Sequence, residues 1–79
     1  MAATVTLTFE RAHTLAKVAA AKADAPTTTL GEHDVFAAFA SEMAGLSGVL
    51  FENPDIRTMT IRYADRAPLV KRLIETTID

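Results

Sequence analysis

TTTLGEHDVFAAFASEMA, residues 27–44, is the stretch from which the rest of the chain is read. Polar Thr27, Thr28 and Thr29 precede Gly31, and the acidic Glu32 and Asp34 follow within a turn, where carboxylates face the positive end of a helix dipole. Behind them Val35, Phe36, Phe39, Ala40 and Met43 recur at three- and four-residue spacing, which is one face of a helix docked in a core. The spacing predicts three to four turns of buried helix, with Phe36 and Phe39 as core anchors. Glu32 and His33 form the strongly polar pair at its mouth, and a binding site is expected there.

Toward the amino terminus, residues 9 to about 23, FERAHTLAKVAAAKA, are strong helix formers without a breaker, and Thr8 can cap them. Phe9, Ala12, Leu15, Ala16, Ala19, Ala20 and Ala23 share a broad face, opposite Glu10, Thr14 and Lys17. The small residues let a second helix approach closely. His13 falls at the edge of that face, with no carboxylate or second histidine four residues away to make a metal pair, so it reads as a boundary residue. Asp24-Ala25-Pro26 ends the helix, because proline disfavours the helical conformation at the residue before it. Before it, TVTLTF at residues 4–9 alternates like a short strand. With no partner for a lone strand, it is read as an extended arm.

Toward the carboxyl terminus, Gly45 reads as a helix stop, and residues 46–52, LSGVLFE, as two further turns with Leu46, Val49 and Leu50 inward, closed by Asn53-Pro54. Residues 56–63 allow two readings. Ile56, Met59, Thr60 and Tyr63 fall on one helical face, whereas Met59, Ile61 and Tyr63 also alternate with Thr58, Thr60 and Arg62 as in a strand. Helix is preferred, since a lone strand in a helical chain would have nothing to pair with. Pro68 can open a last helix whose apolar face, Leu69, Val70, Leu73, Ile74 and Thr77, opposes Lys71, Arg72, Glu75 and Thr76. The expectation is therefore all-α: a small bundle of four or five short helices in a single domain over residues 1–79, with an extended arm at 1–8 and an amphipathic terminal helix at 66–79. Phe9, Leu15, Phe36, Phe39, Leu46 and Leu50 would share one core.

Composition bounds the function. A chain of 79 residues buries only about 60–65% of its unfolded surface, so partner contacts are expected to matter for its stability. A hydrophobic fraction of 49% against 23% charged residues argues for a folded domain. The net charge of -2 is too acidic for binding a polyanion through bulk electrostatics. There is no cysteine, hence no disulfide or thiolate metal site. The start of the chain lacks a basic leader, and no apolar run reads as a membrane span, so a cytoplasmic protein with no membrane partner is expected. No catalytic residue, metal ligand or cofactor is assigned. Ser41 and Ser47 have no histidine at recognisable spacing, and adjacent Glu32, His33 and Asp34 point in different directions on a helix. Arg57, Arg62, Arg66, Lys71 and Arg72 offer an alternative, a small nucleic-acid-binding regulator. Asp55, Asp65 and Glu75 interrupt that series and make it read as a solvated face.

Phe9-Glu10-Arg11-Ala12, the spacing to Leu15, Ala19 and Ala23, Glu32-His33 opening an apolar helix, and Gly45-Leu46 together resemble one repeat of the Clp amino-terminal domain. That is the substrate- and adaptor-docking domain of the Clp unfoldases, whose repeats read F-T-E-R-A, a helix, T-E-H-L-L, then glycine and a short helix. The resemblance covers about residues 7–53. Gly31 stands in place of the usual threonine, Asp34 in place of an apolar residue, and the loop before Glu32 is about two residues shorter. The resemblance implies a non-catalytic protein-interaction module that docks substrates or adaptors of a Clp-type chaperone and protease system, or sequesters them. It also implies an all-helical repeat in which Pro54-Asp55-Ile56 starts a fourth helix. In some unfoldases the glutamate matching Glu32 helps bind phosphorylated arginine, so Glu32 and His33 are the expected partner-binding residues and an arginine-phosphorylated peptide an expected ligand. The family domain carries two such repeats. The terminal helix would then either pack back as a fifth helix or, through Leu69, Val70, Leu73 and Ile74, join a second copy as a homodimer.

Overall fold

A computed structural model describes residues 4–78; Met1, Ala2 and Ala3 of the expected arm and Asp79 of the expected terminal helix lie outside the described residues. The elements run β1 (Thr4–Leu7), α1 (Phe9–Ala23), α2 (Leu30–Glu52), β2 (Met59–Arg62) and α3 (Pro68–Ile78). The expected all-α bundle of four or five short helices is thus replaced by three helices and a two-stranded antiparallel sheet. The two strand-like stretches, each set aside for want of a partner, are each other's partner. Thr4 faces Arg62, Val5 faces Ile61, Thr6 faces Thr60 and Leu7 faces Met59. Val5 and Leu7 point into the core, while Thr4 and Thr6 point to solvent, as the period of two requires.

Helix α1 begins where Thr8 turns its hydroxyl oxygen to the Arg11 N–H, 3.2 Å away. It buries Ala12, Leu15, Ala19 and Ala23, and this small-residue face lies against α2 in a helical hairpin. Phe9 is a correction: as the first residue of the helix it faces outward, 38% exposed, stacked on His13 at 5.7 Å and touching Phe51 at 5.6 Å.

Helix α2 also corrects the sequence reading. It runs unbroken for 23 residues through Gly45 and Gly48. A glycine inside a helix costs about 1 kcal/mol relative to alanine, and burial of Phe39, Met43, Ser47 and Leu50 on one continuous face outweighs that cost. The stop falls at Asn53, whose backbone N–H and side-chain amide both donate to the Val49 carbonyl, at 3.0 and 2.8 Å, with Pro54 next. No fourth helix starts at Pro54. The chain turns through Arg57, which holds a left-handed φ of 67°, and enters β2 with Met59 and Ile61 half-buried. Read without a break at Gly45, α2 is long and apolar enough to cross a membrane by length and composition alone, with a mean hydropathy of 1.3 over its best window. Core helices pass the same test.

Helix α3 packs against both other helices. Val70, Leu73 and Ile74 are almost fully buried and Leu69 is half-buried, all within this chain's own core. Of the two readings of this face, packing back or joining a second copy, the contacts within the chain are those of packing back.

Candidate functional site

The helix mouth forms by a reciprocal cap. The Thr29 hydroxyl oxygen accepts from the Glu32 backbone N–H at 3.3 Å, and Glu32 Oε1 accepts from the Thr29 N–H at 3.0 Å. That backbone N–H is the main reason the Glu32 carboxyl lies below its ordinary range, with the Thr29 side chain contributing in the same direction. One Glu32 oxygen is accordingly engaged by its own chain. His33 faces the other way. Its Nδ1 lies 2.9 Å from the Ala23 carbonyl, and since a carbonyl only accepts, Nδ1 carries the hydrogen. Glu32 thus closes the cap, and His33 holds the helix mouth by tying the start of α2 to the end of α1.

Glu32 lines a cleft of about 370 Å³ that the sequence did not reveal. Its floor is Phe36, Leu69 and Leu73; its walls include Lys22 from the last turn of α1, Thr27 and Thr28 from the loop, and Arg72 and Thr76 from α3. Thr28 donates its hydroxyl hydrogen to the Lys22 carbonyl, and Thr76 donates to the Arg72 carbonyl at 2.8 Å. Lys22 and Arg72 have no ion-pair partner among the described residues. Arg72 and Thr76, read from the sequence as opposite the apolar face of α3, instead flank it, Arg72 three residues on from Leu69 and Thr76 three on from Leu73.

The basic series of the carboxyl-terminal segment is partly neutralised. Arg62 pairs with Asp65 at 3.2 Å, and Arg66 meets Glu42 through two bonds of 2.6 Å each. Arg66 holds the Glu42 carboxyl below its ordinary range, Glu42 raises Arg66 in return, and the guanidinium lies over the Phe39 ring, 5.6 Å from its centre.

A second, shallower groove between α1 and α2 brings His13, Lys17, Ser41 and Ser47 to one surface. The Ser47 hydroxyl donates to the Ala44 carbonyl at 2.8 Å, His13 stacks on Phe9, and no hydrogen bond joins a serine to a histidine among the described residues. Nor do three or more His, Asp or Glu residues converge there as a metal site among the described residues. No protein family, no curated protein and no solved structure matches this chain.

Proposed function

We propose that this chain is a non-catalytic docking module that holds a segment of a partner protein in the cleft between the end of α1, the mouth of α2 and α3. The observation that supports the reading most is the cleft itself: an apolar floor of Phe36, Leu69 and Leu73 ringed by Glu32, Lys22 and Arg72. Its volume lies at the low end of the roughly 300–1,000 Å³ of ligand sites, which suits a few side chains of an extended segment. The resemblance of Phe9-Glu10-Arg11-Ala12 and Glu32-His33 to the Clp amino-terminal repeat supplies the setting, substrates or adaptors of a Clp-type protease system, bound for delivery or for sequestration.

The test is a calorimetric titration of arginine-phosphorylated and unmodified peptides into the wild type, Glu32→Gln and Thr76→Trp, the last of which fills the cleft from its exposed rim. Binding by the wild type that Thr76→Trp abolishes, with thermal stability retained, supports the reading. Peptide binding that survives a filled cleft removes the site, and a wild type that binds no peptide removes the function.

A further inference from the structure

From the charges around the cleft we infer that its occupant is an acidic segment, an apolar side chain flanked by carboxylates. The inference rests on the docking function proposed above and names the chemistry of the partner. The hydroxyl hydrogens of Thr28 and Thr76 are turned onto backbone carbonyls of Lys22 and Arg72. Glu32 Oε1 is turned back onto the Thr29 N–H. The donors left facing a ligand are the Lys22 ammonium, the Arg72 guanidinium and the Thr27 hydroxyl, and the two cations lack ion-pair partners among the described residues. A wall that offers unpaired cationic donors over an apolar floor complements a ligand rich in acceptors with one greasy side chain. Carboxylates fit better than a second cation, which would meet Lys22 and Arg72 with a single carboxylate, one of its oxygens already engaged, as its counter-charge. The chain carries net negative charge, so this local positive rim stands against its own background and selects partners by position.

The experiment uses three capped peptides with the same Leu-Phe centre, flanked by aspartates, serines or lysines, and a fourth with a phosphorylated arginine, each titrated into the full chain by fluorescence anisotropy. The aspartate peptide is expected to bind at least about tenfold more tightly than the serine peptide and to weaken as salt rises from low to physiological strength. Lys22→Gln and Arg72→Gln, both at exposed positions, are each expected to reduce its affinity about threefold to tenfold while their melting curves match the wild type. Equal binding of the aspartate, serine and lysine peptides, or binding of the phosphorylated arginine peptide alone, overturns the acidic partner and leaves the docking function standing. A preference for aspartate that persists in the Lys22→Gln, Arg72→Gln double variant overturns the assignment to this cleft. Failure of all four peptides to bind removes both.

Discussion

Arg66 grips Glu42 with both ends of its guanidinium, Nη1 to Oε1 and Nη2 to Oε2, while its Nε donates to the Arg62 carbonyl at 3.1 Å. One side chain therefore fastens the end of β2 to the middle of α2 and covers Phe39. Replacing Glu42 with glutamine should cost about 1 kcal/mol, the size of a two-pronged but partly exposed pair. Because the folded carboxyl sits below its unfolded value, the contribution is present above about pH 4.3 and is lost as pH falls through the folded value. Melting curves should show a gap between wild type and Glu42→Gln at pH 7 that narrows in acid.

Gly45→Ala and Gly48→Ala should each stabilise the protein by about 0.5–1 kcal/mol. Both glycines lie inside α2, and a Cβ built at either meets nothing within 4 Å. Urea denaturation of the two variants checks this; a loss of stability at either position would contradict it.

Thr6 and Thr60 face each other across the sheet with their hydroxyl oxygens 3.4 Å apart. The natural chain has no cysteine, so Thr6→Cys with Thr60→Cys provides a clean cross-link. It should form in air and raise stability by about 2–4 kcal/mol, since the loop it closes is long. Electrophoresis with and without reductant, followed by thermal unfolding, reads both outcomes.

Thr29→Ala removes the hydroxyl that accepts from Glu32 and should cost about 1 kcal/mol. It should also move the Glu32 carboxyl back toward its ordinary value, because its side-chain partner is gone. Carbon-detected titration of the Glu32 side chain measures that displacement directly.

The helices were legible to the degree that their signals were local. Thr8 and Thr29 mark helix starts through contacts three residues on, and Pro26 marks an end through its neighbour, and α1 and the start of α2 follow them. Gly45 misleads because its own preference is overridden by the buried face on either side of it. The sheet was invisible for a different reason. Each strand taken alone has no partner nearby in the sequence, and the pairing that makes them strands links residues more than fifty positions apart. Glu32 is marked by its place at a helix start and Lys22 reaches it from the end of α1 across the short loop, but Arg72 joins them in the cleft only because α3 folds back over the mouth, which no local pattern encodes.

The pairing of β1 with β2 also sets an order on the making of the protein. During synthesis β1 emerges first, and its partner appears only after the whole α1 and α2 hairpin has left the ribosome. The hairpin can close early through its local contacts, whereas Val5 and Leu7 must wait in the open for Met59 and Ile61. A chain cut short before β2 would therefore yield a helical hairpin preceded by a strand without its partner, an edge open to pairing with other chains.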